Sequence, residues 1–198
     1  MAHGAIVFSE HPRARVLAIH TDEAADMPGV VRILTADDIP GERVLGLYAK
    51  DWPVYIKVGE VTRYIGDALA CVVAETEAEA RAAAACVKVD YEVLTPLLDM
   101  EEAETSPIHI HENGNILLDK TIRRGEPVDE ALARCAFTAE ATYRTQAVEH
   151  AFIEPEATLA VPEAGGVRLY VQSQGIWHDK TDIAALLHVP TPKVTVTL

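Results

Sequence analysis

Several things are scarce in this chain, and each scarcity excludes something. Cysteine occurs three times in 198 residues, at Cys71, Cys86 and Cys135. The count is odd and no C-x-x-C spacing appears, which argues against a disulfide framework, a zinc site or an iron–sulfur site. Basic residues are outnumbered 17 to 31, giving a net charge of −14. The deficit is even: 16 acidic against 9 basic residues in 1–100, then 15 against 8 in 101–198, so each half is at −7. With no basic face to neutralise phosphates, nucleic-acid binding is disfavoured. No apolar run approaches the ~20 residues that span a bilayer, and His3 to Glu10 has neither the basic start nor the long apolar core of a secretory signal. A cytoplasmic, reducing location is the expectation. No phosphate-cradling glycine loop occurs. No serine or cysteine sits in a nucleophile elbow.

What is present is the composition of a folded domain, with 49% hydrophobic and 24% charged residues. Two strand–helix–strand units are expected in the first hundred residues. In the first, Val16–His20 is a short apolar run, and Thr21 is placed to cap a helix beginning Asp22-Glu23. Pro28-Gly29 stops that helix, and Val30–Leu34 is the next strand. In the second, Ala68–Ala74 is strand-like and Thr76-Glu-Ala-Glu79 has capping-box form. The alanine-rich run to Cys86 is helical, and Val87–Val93 alternates with period two. Tyr55–Val58 is a candidate strand between the units.

From Leu94 to Arg124 the pattern weakens, as in an ordered connector between domains, with a short helix at Asp129–Arg134 within its far end. Residues 137–144 alternate apolar and polar as a half-buried strand would. Ala157–Val161 and Val167–Val171 flank Pro162-Glu-Ala-Gly-Gly166 and read as a hairpin with a glycine turn, a helix runs from Asp179 to His188, and Val194–Leu198 is a last strand. The expected divisions are 1–104, a connector at 105–134, and 135–198.

The segment Val171-Gln-Ser-Gln-Gly-Ile-Trp177 joins a strand to a helix and holds a neutral carboxamide, Gln174, at the turn. About twenty residues upstream lies Val148-Glu-His-Ala-Phe-Ile-Glu-Pro155. An ordered set of segments precedes both. It begins with His3-Gly-Ala-Ile-Val-Phe-Ser-Glu-His-Pro-Arg-Ala-Arg15, Met27-Pro-Gly-Val-Val31 and Leu34-Thr-Ala-Asp-Asp-Ile-Pro40. It continues with Val61-Thr-Arg-Tyr-Ile-Gly-Asp67, Val72-Val-Ala-Glu-Thr76 and Val87-Lys-Val-Asp-Tyr-Glu92. No one segment is specific, but their order resembles the large subunit of the molybdenum hydroxylases, the xanthine dehydrogenase and aldehyde oxidase family. The sequence departs from the family pattern at Ala68-Leu69 and at Gly125-Glu-Pro127, both turn positions. The family's Gly-Gly-Gly-Phe-Gly-Gly-Lys segment and its catalytic glutamate do not occur in these 198 residues.

The resemblance implies an α+β chain: an α/β-hammerhead domain followed by the first part of a molybdopterin-binding domain. It implies a molybdenum–molybdopterin cofactor, with [2Fe–2S] and FAD on partner subunits or domains. It also implies the remainder of the molybdenum subunit as a partner, a dimeric assembly and a small-molecule substrate. Gln174 matches the family position that contacts an oxygen of the molybdenum centre, and Gly175 would permit close backbone approach. No catalytic and no metal-ligating residue is assigned here, and the chain by itself is expected to be inactive. Without the ordered set, Gln174 would read as an ordinary surface glutamine. Trp177 reads as core, interface or pocket wall. His150 with Glu154 reads as a structural pair on one strand face, and His109 with His111 as the best zinc alternative. A non-enzymatic hammerhead scaffold or docking module is the rival expectation.

Overall fold

The computed structural model describes residues 1–153 and 155–198. The chain begins with β1 (His3–Phe8), β2 (Ala14–His20), the single-turn α1 (Asp22–Ala25) and β3 (Val30–Thr35). Two-residue strands β4 (Val44–Leu45) and β5 (Trp52–Pro53) pair with each other. Then come β6 (Ala68–Ala74), α2 (Glu77–Ala84), β7 (Lys88–Val93) and α3 (Met100–Thr105). Further on are α4 (Val128–Ala133), β8 (Leu159–Glu163), β9 (Gly166–Tyr170), α5 (Ile176–Leu186) and β10 (Val194–Thr197). Strands and helices are mixed without regular βαβ alternation, an α+β arrangement. No helix among the described residues is long and apolar enough to cross a membrane.

The two strand–helix–strand units are real, but neither pairs its own strands. β6 lies between β1 and β3, antiparallel to both, with Ile6 and Leu34 opposite Cys71. β2 pairs instead with β7, with Val16 opposite Tyr91. Each unit thus contributes one strand to a three-stranded sheet and one to a two-stranded ribbon. One core forms where α1 and α2 cover the three-stranded sheet: Ala24, Val72 and Ala83 are buried, with Val7, Met27, Val30 and Ile33 against them. A second forms around Val16, Ile56 and Leu69, joined by Ile19, Val89 and Tyr91 from the ribbon.

Local chemistry explains these elements. The Glu79 amide donates to Thr76 Oγ1 at 3.2 Å, and the Thr76 amide donates to Glu79 Oε2 at 3.0 Å, closing the box at the start of α2. Thr21 makes no such bond. Its own backbone is helical (φ −110°, ψ −8°), whereas a capping side chain needs an extended residue beneath it. Tyr55–Val58 is irregular rather than a strand: the Ile56 amide donates to Ala68 O at 2.8 Å, and the side chain plugs the second core.

The described chain divides into two compact units, one made of Met1–Asn115 with Ala157–Leu198, the other of Ile116–Glu156. Thr105–Asn115, the start of the expected ordered connector, falls in the first. Asn115 ties it down, accepting from the Ile110 amide at 2.8 Å and donating to Ala103 O and Ile108 O. In the second unit α4 is the only helix among the described residues. Residues 137–144 form no strand, and Phe137 is 95% exposed. An alternating run needs a neighbouring strand to take its amides, and none pairs with it among the described residues.

The remaining strands of the first unit form a sheet in the order β10-β9-β8. The β8–β9 hairpin turns at Ala164-Gly165, within the expected segment 162–166, and β10 lies parallel to β9. α5 covers one face, burying Leu169, Ala184 and Val194.

Candidate functional site

The turn between β9 and α5 is fixed by its own backbone and short side chains. The Val171 amide donates to Thr197 O at 3.0 Å, extending the β9–β10 ladder by one residue. Gln172 Oε1 accepts from the Ala157 amide at 3.1 Å, tying the turn to the chain entering β8. Ser173 Oγ accepts from the Gly175 amide at 3.0 Å, and Gly175 O accepts from the Asp179 amide at 3.0 Å as the first turn of α5 closes.

Within this frame the two glutamines differ. Gln172 is engaged. Gln174 is exposed, and its side chain has no hydrogen-bond partner among the described residues. A carboxamide on a braced turn, with both its donor and its acceptor unused, is available to an outside group. Gly175 starts the helix with φ −134° and no side-chain cap. The first-turn N–H groups of α5 therefore look outward for partners, at the end of a helix that favours negative charge. A methyl group at Gly175 would meet only His178, at 3.7 Å. Nothing inside the chain requires glycine there.

Asp179 adds a second unmet group. Its Oδ2 is shut off from solvent and has no hydrogen-bond partner among the described residues. Sequence reasoning missed both Asp179 and the clamping role of Gln172. The signal for Asp179 was its place in a helix first turn, which reads equally well as a dipole partner. Trp177 is not core: it is 73% exposed, with Lys180 Nζ 6.0 Å from its ring.

The other candidates are not brought together. His111 Nδ1 lies 2.8 Å from Asp51 Oδ2, and His109 is exposed apart from it. Among the described residues no three His, Cys, Asp or Glu are grouped to hold an ion. His150 is exposed, and Glu154 lies outside the described residues. Cys71 is half-buried, and burial pushes its thiol up. The neighbouring Tyr55 phenol is pushed up to about 12, by burial first and then by Cys71. Both groups stay neutral near pH 7, the state of a structural pair.

Residues 1–95 match the aldehyde oxidase and xanthine dehydrogenase a/b hammerhead domain, and residues 108–198 match the molybdopterin cofactor-binding domain. The chain belongs to the molybdenum hydroxylase family. It is 32% identical over 198 residues to a probable xanthine dehydrogenase subunit of Bacillus subtilis. It is 33% identical over 199 residues to the nicotinate dehydrogenase large molybdopterin subunit of Eubacterium barkeri. These alignments take in 99% of the chain but only 26% and 46% of the two relatives, so it spans less than half the length of either. The aldehyde oxidoreductase of Desulfovibrio gigas superposes with a TM-score of 0.90 at 29% identity, covering 98% of this chain and 23% of that one. Quinoline 2-oxidoreductase of Pseudomonas putida superposes at 0.84 and 24% identity, a likeness of fold, covering 98% of this chain and 26% of that one. The family membership carries the molybdenum–molybdopterin cofactor with it, and the donor set of the turn fits that group. An uncharged carboxamide and outward N–H groups can donate to oxygen ligands without adding positive charge.

Proposed function

We propose that this chain is the N-terminal part of the large subunit of a xanthine dehydrogenase-like hydroxylase acting on a purine, an aldehyde or another electron-poor heterocycle. In this reading residues 1–104 are the hammerhead domain, 105–134 a connector and 135–198 the start of the cofactor-binding domain. The cofactor supplies the oxygen transfer, with water as the oxygen source, and the electron acceptance. The [2Fe–2S] and FAD groups of partner subunits or domains would supply the route by which electrons leave. The working assembly is a cytoplasmic dimer that includes the remainder of the molybdenum subunit.

The observation that carries this reading is the unpartnered Gln174 carboxamide on a turn where Val171, Gln172, Ser173 and Gly175 are each hydrogen-bonded. Its role is to donate from Nε2 to an oxygen of the molybdenum centre, orienting that ligand without changing the charge of the site. Gln172 and Ser173 hold the turn so that the donor is aimed before substrate arrives. A preorganised donor costs no reorganisation during the reaction, which is why such groups matter more than their hydrogen bonds would in water. The N–H groups at the start of α5, which have no side-chain cap, give the same turn further unmet hydrogen-bonding capacity.

The test is Gln174→Ala in the full enzyme. Loss of one positioned donor lowers kcat by about 10²–10³ with little change in KM, while cofactor content is retained. An unchanged kcat removes Gln174 from the site. The 198 residues alone are expected to show no purine or aldehyde oxidation and no stoichiometric molybdenum, and turnover by this chain alone would overturn the reading.

A further inference from the structure

We propose that Gly41 is a positioning residue: the loop from Gly41 to Lys50 fixes the far end of α5, and through that helix the Gln174 turn. The proposal rests on the reading of Gln174 given above.

The contact is between backbones. A Cβ at Gly41 would lie 1.9 Å from Ala185 O, 2.8 Å from Leu186 O and 3.0 Å from His188 N. The next residue uses this closeness, for the Glu42 amide donates to Ala185 O at 3.0 Å. The same carbonyl accepts from the His188 amide at 3.2 Å, where the chain reverses with φ +54°. Carbonyls of a last helical turn lack intrahelical partners, and Ala185 O has found two, one from each side. The loop is itself braced. Lys50 Nζ donates to Glu42 Oε2 at 2.6 Å, and Asp182 of α5 adds to the negative field around that ammonium. β4 and β5 pair Val44 with Pro53 and Leu45 with Trp52, so the strap closes on itself.

The consequence follows from the stiffness of a short helix. α5 has eleven residues, about 16 Å of rigid rod. Its flank is held by Leu169 and Val194, but its position along its axis is set at its ends. At one end is the Gly41 strap; at the other is the Ser173–Gly175 turn. A methyl group at Gly41 cannot coexist with the Ala185 carbonyl, and restoring ordinary contact requires a displacement of more than about 1 Å. A misplacement of that size at a catalytic group is worth about 10²-fold in rate. The segment matching the hammerhead domain would thereby set the aim of a group in the segment matching the cofactor domain.

The experiment compares the full-length holoenzyme with Gly41→Ala, Lys50→Met and Gln174→Ala. Amide hydrogen exchange is followed across α5, together with electron paramagnetic resonance of the partly reduced molybdenum, kcat and KM. Gly41→Ala is expected to speed exchange of the α5 amides at least tenfold, change the molybdenum signal, and lower kcat about 10–100-fold with KM within twofold. Lys50→Met loosens the strap without a clash, so exchange rises two- to fivefold; it decides the matter alone if Gly41→Ala does not fold. Unchanged exchange in α5 in both variants overturns the proposal. So does a molybdenum signal that Gln174→Ala alters and Gly41→Ala does not. If Gln174→Ala leaves the signal unchanged, the reading of Gln174 fails, and exchange in α5 still decides whether the strap sets the helix.

Discussion

Residues 88–93 and 137–144 look alike on paper and behave differently in the fold. Both alternate apolar and polar side chains with period two. The first becomes β7, hydrogen-bonded along its length to β2 and closing over Val16 and Leu69. The second forms no strand and joins no sheet among the described residues, and its aromatic side chains Phe137 and Tyr143 lie in solvent. Alternation specifies which side chains share a face. It does not supply the neighbour that makes the face worth having. The units that hold the two stretches differ in the same way: Met1–Asn115 with Ala157–Leu198 contains all three buried clusters, and Ile116–Glu156 contains none among its described residues.

The largest test of that difference is a pair of truncations. Leu69→Ala opens a cavity between β6, the ribbon and Ile56, and is expected to cost about 3–5 kcal/mol. Phe137→Ala removes a larger side chain from solvent and is expected to change stability by less than about 0.5 kcal/mol. Urea unfolding of the chain measures both. Comparable losses would mean that 137–144 is packed in solution, and the contrast would fail. Hydrogen exchange sharpens the same point without mutation: amides of β6 should exchange far more slowly than those of 137–144.

A middle-sized test lies at a helix start, where sequence was right once and wrong once. Thr76→Ala removes the capping oxygen from α2 and should cost about 1 kcal/mol. Thr21→Ala should cost a few tenths at most, because Thr21 caps nothing. Equal losses in thermal unfolding would mean that Thr21 caps α1 after all. The two threonines show how far the sequence could be read. Hydroxyl, spacing and following acids were visible at both. The carboxylate that completes the box was present only at Glu79, and the backbone angle that decides the other case is written nowhere in the local pattern.

The candidate site was legible in the same uneven way. Gln174 could be placed because strand, turn and helix signals bracket it and because the segments before it fall in family order. Gln172, two residues earlier and chemically identical, was not distinguishable. Its role depends on the Ala157 amide, fifteen residues away, and contacts at that range are set by the hairpin's register. Gly41 follows Pro40 in a polar stretch, and such a pair reads locally as a chain stop and nothing more. Its approach to Ala185 O joins segments 144 residues apart, and no periodicity carries such information. Local chemistry is visible in sequence; the choice of distant neighbour is made by the packed sheet.

The smallest effect concerns charge inside the well-packed unit. Asp67 is 2% exposed, and burial raises its pKa against the opposing pull of the Arg63 and Tyr64 amides, which donate to Oδ2 at 2.6 and 3.4 Å. A raised acid pKa means that the folded state holds its proton to higher pH than the unfolded state does. This group therefore favours folding below its unfolded pKa of about 3.9, and the contribution is lost as pH rises through the raised folded value. An asparagine in its place would keep an oxygen for the two amides and carry no charge to bury. Asp67→Asn is expected to raise the melting temperature by roughly a degree or two at pH 7, and the gain should vanish below about pH 4. A gain that persists at about pH 3 would show that the buried charge is not its source. A loss at about pH 7 would show that the two amides hold the ionised carboxylate more strongly than burial penalises it. In that case the buried charge at Asp67 would be a source of stability in the first unit, held by amides that only a packed loop can aim at it.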